Sequence, residues 1–82
     1  MAVHLLPQAV DDLEEFYEPL RSEILDRLEI LSEFPNAGVA MTQEFTGYRC
    51  LVISRLVRVV YTVRNEKVWV AYIRHSARQI KK

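Results

Sequence analysis

Three consecutive stretches, Tyr48–Ser54, Val57–Arg64 and Lys67–His75, are rich in Val, Ile, Tyr and Trp, and the last two are separated only by Asn65 and Glu66. A two-residue spacing between such runs marks a tight hairpin, so the stretch from Gly47 to Arg78 reads as an antiparallel meander. Pairing Arg64 with Lys67 carries the register back until Arg58 lies opposite Ile73. Alternation then puts Arg58, Val60 and Thr62 on one face with Trp69, Ala71, Ile73 and His75. Val57, Val59, Tyr61, Val63, Val68, Val70 and Tyr72 form the other, oilier face, which is the expected core. A two-residue turn at Arg55–Leu56, or a four-residue turn from Ser54 to Val57, adds Arg49, Leu51 and Ile53 to the Arg58 face.

The residues before the meander have helical rather than strand periodicity. Ala2–Leu6 is short, apolar and stopped by Pro7, which suits a strand added to the meander in a direction the sequence does not fix. Pro7 fits the first turn of a helix, where its missing N–H costs nothing, and Asp11 and Asp12 follow close to that positive end. Val10, Leu13, Phe16/Tyr17 and Leu20 then recur at helical spacing, with Asp12, Glu14, Glu15 and Glu18 outside the stripe. Ile24, Leu25, Leu28, Leu31 and Phe34 make a second stripe, ended by the turn residues Pro35–Gly38. Val39–Thr46 reads as a connecting loop. The expected architecture is an α+β single domain over residues 1–82, in the order β-α-α-β-β-β. It comprises an antiparallel meander sheet of about four strands with an N-terminal helical hairpin, near Pro7–Glu18 and Leu20–Phe34, packed on one face.

Net charge is zero, yet the two halves differ sharply. Residues 1–47 hold ten Asp/Glu against Arg21 and Arg27, whereas residues 48–82 hold nine Lys/Arg against Glu66 alone. A basic sheet beside acidic helices suits a surface that meets a polyanion. No apolar run approaches the length of a membrane span, and the lone Cys50 can form neither an internal disulfide nor a zinc site. A soluble cytoplasmic protein is therefore expected, with no membrane contact. Gly-rich phosphate loops, metal-ligand spacings and a nucleophile elbow are all missing from the pattern, so no cofactor or metal is expected. His4 reads as structural or surface. The chemistry that remains lies in Arg49, Arg58, His75 and Arg78, with Arg74, Lys81 and Lys82 nearby. Guanidinium forks hold phosphates and stabilise charge developing at phosphorus, and an imidazole moves protons. Trp69, on the arginine face in this register, is a candidate for stacking on a base.

Leu31, Pro35 and Gly38, then Gly47-Tyr48-Arg49, Arg58-Val59-Val60-Tyr61 and Ile73-Arg74-His75-Ser76-Ala77-Arg78, together resemble toxins of the RelE/ParE superfamily from bacterial type II toxin–antitoxin modules. The resemblance spans essentially the whole chain and implies a concave functional face and a cognate antitoxin that wraps the toxin in a hetero-oligomer. Two activities divide the superfamily. RelE-like members cut mRNA on the ribosome with basic side chains, and Arg49, Arg58 and Arg78 match positions where that branch carries Lys or Arg, although Leu51 stands where it has another basic residue. ParE-like members poison DNA gyrase without cutting nucleic acid, and Ile73–Arg78 is similar to the final-strand signature of that branch. The leading expectation is a metal-independent mRNA interferase in which Arg58, Arg78 and His75 are catalytic and Arg49, Arg74, Lys81 and Trp69 bind substrate. Gyrase inhibition, or a non-catalytic protein-interaction module, is the alternative.

Overall fold

Asn65 and Glu66 both adopt positive φ, 53° and 61°, the backbone of a type I′ turn, whose twist matches that of the strands it joins. In the computed structural model, which describes residues 1–75, this turn pairs Arg64 with Lys67 as expected. It joins β4 (Val57–Arg64) to β5 (Lys67–His75), and β3 (Tyr48–Ile53) lies antiparallel on the other side of β4. At the chain start, β1 (Ala2–Leu5) adds to β5 in parallel. A two-residue strand, β2 (Val39–Ala40), pairs with β3 where only a loop was expected. The described residues thus form a five-stranded sheet in the order β1-β5-β4-β3-β2. Helices α1 (Pro7–Glu14) and α2 (Leu20–Ile30) cover one face and are shorter than the stripes implied.

The core lies between that face and the helices. Tyr61, Val57, Val59, Val68 and Val70 are fully buried against Ile24, Leu28 and Leu31 of the second helical stripe and Ala9, Leu13 and Phe16 of the first. Val59 and Tyr61 therefore point inward and Arg58 outward, as alternation in the hairpin required. The helical stripes are narrower than expected. Val10, Tyr17, Leu25 and Phe34 are exposed, while Asp12, assigned to the outer surface, is buried.

Two local irregularities correct the strand faces. The turn after β3 has three residues, Ser54–Leu56, rather than two or four. Ser54 and Arg55 have positive φ, Leu56 N–H donates to Ile53 O, and Ile53 pairs with Val57. One extra residue inverts the parity, so Arg49, Leu51 and Ile53 lie on the helix side rather than on the Arg58 face. The second irregularity is a β-bulge. Val60 pairs with Tyr72 but Tyr61 pairs with Val70, leaving Ala71 as the extra residue. From there on β5 is rotated by one position: Ile73 enters the core, and Tyr72 and Arg74 emerge.

The turn after the helices is fastened to the core by Tyr61. Its hydroxyl donates to Pro35 O at 2.6 Å and accepts from the buried Gly38 N–H at 2.9 Å. A Cβ at Gly38 would lie 2.9 Å from both Cys50 O and the Tyr61 ring, so only glycine lets the chain pass this closely. Tyr61→Phe strands the Gly38 N–H and is expected to cost about 1–3 kcal/mol in denaturant unfolding.

Candidate functional site

The face of the sheet away from the helices is built of three cross-strand rows. At one end, Tyr48, Thr62, Trp69 and His4 are successive partners across four strands. His4 and Trp69 stack with ring centroids 4.8 Å apart, and the Thr62 hydroxyl donates to Gly47 O at 2.7 Å. Trp69 is therefore on the expected face, but its ring is engaged by His4. The middle row is Cys50, Val60 and Tyr72, and the last is Val52, Arg58 and Arg74.

Arg58 and Arg74 are direct cross-strand partners, and both are exposed. Like charges at directly opposed strand positions repel, so the pairing gives up some stability. Arg74 lies over the Tyr72 ring, 4.9 Å from its centroid, which orients the side chain without neutralising it. Beside the two arginines lies a groove of about 380 Å³, lined also by Met41, Phe45, Cys50, Val60 and Tyr72. Burial pushes the Cys50 thiol above its ordinary pKa, opposed by the positive charge of Arg58. Two arginines at the rim of an apolar groove suit a ligand that carries anionic groups on a flat or apolar body.

The structure does not bring all the sequence-predicted residues to this place. Arg49 is on the other side of the sheet, where its guanidinium donates to Gly38 O at 2.6 Å and Asn36 O at 3.4 Å, and so braces the turn held by Tyr61. His75 pairs with Val57 and stacks on Phe16 of the helical layer, ring centroids 6.0 Å apart. The expected diagonal neighbourhood of His75 and Arg58 on one face is thus corrected by the bulge, which turns His75 inward and sends Arg74 out in its place. Arg78 and Lys81 lie outside the described residues. Two contributors were missed: Tyr72, assigned to the core, and Asp12, whose carboxylate reaches β5. A place beside the apolar stripe, next to Leu13, was the only sign of the latter. Among the described residues no cluster of His, Cys, Asp and Glu could hold a metal ion, and no helix is long and apolar enough to cross a membrane.

Both the sequence and this fold have counterparts among known proteins. A family model described as the ParE toxin of type II toxin–antitoxin system, parDE, matches residues 3–80. The fold is similar to that in the crystal structure of the RelBE2 toxin–antitoxin complex from Mycobacterium tuberculosis, with TM-score 0.83 and 19% identity over 90% of this chain and 95% of that one. It is also similar to a chain of the chromosomal ParDE system from P. aeruginosa, with TM-score 0.76 and 18% identity over 92% and 95% of the two chains. For the intact E. coli RelBE complex the values are 0.74 and 16%, over 88% and 92%. No curated protein sequence matches significantly.

Proposed function

Because the chain belongs to the ParE toxin family of type II toxin–antitoxin systems, we propose that it arrests growth in the cytoplasm by engaging DNA gyrase through the exposed face of Arg58 and Arg74, without cutting nucleic acid. The observation that carries this reading is the arrangement of the arginines: Arg58 and Arg74 are paired on the outer face, and His75 is on the inner one. RNA cleavage by Arg58 and His75 would need both at one phosphate, since proton transfer works over hydrogen-bonding distance. The bulge separates them to opposite sides of the sheet. A surface that binds through exposed cations asks only for the pair itself.

The partner that restrains the toxin is a cognate antitoxin, as in the toxin–antitoxin complexes of similar fold. An acidic amphipathic segment that folds on binding would meet both the arginines and the apolar groove beside them. A second reading, ribosome-dependent mRNA cleavage, is favoured by one feature: two guanidinium groups directly opposite each other can clamp a phosphate. Induction in cells separates the two. Loss of negative supercoiling in a reporter plasmid, with ribosome-bound transcripts intact by primer extension, is the expected result; cut transcripts with normal plasmid topology would overturn it.

A further inference from the structure

Asp12 is the only charged residue buried among the described residues, and packing alone gives no reason for a carboxylate there. Its position follows from where β1 stops. The last pair of β1 with β5 is Leu5 with Val70, after which Leu6 N–H donates to Val70 O at 2.9 Å. Past this point α1, not a strand, runs along the outer edge of β5. The Ile73 N–H leaves that edge and donates to Asp12 Oδ2 at 3.0 Å, so a side chain completes the ladder where a strand is lacking. The other carboxylate oxygen, Oδ1, accepts from Gln8 Nε2 at 2.9 Å. Oδ2 also lies 3.7 Å from Nε of Arg74.

We propose that Asp12 is a positioning residue for Arg74: it anchors β5 just past the bulge through Ile73 and holds the Arg74 side chain toward the outer edge of β5, on the side away from Arg58. This rests on the reading of the Arg58–Arg74 face as the toxin's contact surface. A neutral acceptor would satisfy the Ile73 N–H equally well. The negative charge acts separately, because it offsets the repulsion between two opposed arginines and fixes the one whose aromatic neighbour, Tyr72, leaves its charge intact.

Asp12→Asn removes that charge while the amide oxygen can still accept from Ile73, and the exposed Gln8 can turn its amide so that its oxygen accepts from the new NH2. In the purified chain the Arg74 Nε–H resonance is expected away from the position of an unstructured arginine, and to move toward it in Asp12→Asn with the Ile73 amide still protected from exchange. Growth inhibition should weaken about fivefold in the variant, the order of one partly exposed ion pair. Adding Asp12→Asn to Arg74→Gln should produce no further loss. A wild-type Nε–H signal already at the unstructured position, an unchanged signal in Asp12→Asn, or additive losses in the double variant would each overturn the proposal. The resonance is read without any target, so it decides the positioning role even if wild-type toxin leaves plasmid topology untouched and the gyrase reading fails.

Discussion

Arg58→Ala is expected to raise the toxin concentration needed for gyrase inhibition at least ~30-fold, the loss typical of removing a central arginine from an interface. Arg58 is exposed and makes no packing contact that the core depends on, since its strand neighbours Val57 and Val59 are the buried ones. Removing it also relieves its repulsion with Arg74, so the thermal midpoint should hold or rise slightly. That combination separates a functional arginine from a structural one. Activity lost together with stability would mean that Arg58 supports the fold; activity retained at full strength would mean that the contact surface lies elsewhere. Binding to the antitoxin, measured on the same preparation, should persist, because the apolar groove remains.

The second large effect tests the bulge. Ile73 is essentially fully buried, whereas Tyr72 is exposed. Ile73→Ala should therefore cost about 2–5 kcal/mol through lost burial and the cavity left behind. In a domain of this size that corresponds to roughly 10–30 °C in thermal midpoint. Tyr72→Ala removes a larger side chain but one on the outer face, and should cost less than about 1 kcal/mol. Without the bulge the order would be reversed, because uninterrupted alternation sends Tyr72 inward and Ile73 outward. Thermal unfolding of the two variants side by side is sufficient to distinguish them.

The faces between Val57 and Val70 could be read directly from the sequence, because Val57, Val59, Tyr61, Val63, Val68 and Val70 recur at every second position within each strand and the Asn65–Glu66 turn fixes the register. The helical hairpin was legible for the same reason, its apolar residues recurring at the spacing of one face. What escaped were the places where one residue is added. Ser54-Arg55-Leu56 contains no glycine to announce positive φ, so a three-residue turn and a two-residue turn look alike. Ala71 carries no glycine either, and its small side chain disguises the bulge as one more strand position. Each insertion inverts a face, and between them they moved Arg49 and His75 away from Arg58 and brought in Arg74. Asp12 escaped because a carboxylate beside a helical stripe reads as solvent-facing unless one knows that β1 ends before β5 does. β2 was too short to have a period at all. The arginines of the site were thus identifiable by type and by their concentration in the second half of the chain, while their grouping depended on backbone irregularities that composition and spacing do not encode.

Engagement of gyrase by the Arg58–Arg74 face can be read in a cleavage assay with purified toxin, DNA gyrase and supercoiled plasmid. Wild-type toxin is expected to trap cleaved plasmid only when gyrase is present, and Arg58→Ala is not expected to do so at the same concentration. Unimpaired supercoiling at every toxin concentration, with ribosome-bound mRNA cut by the same preparation, would contradict it.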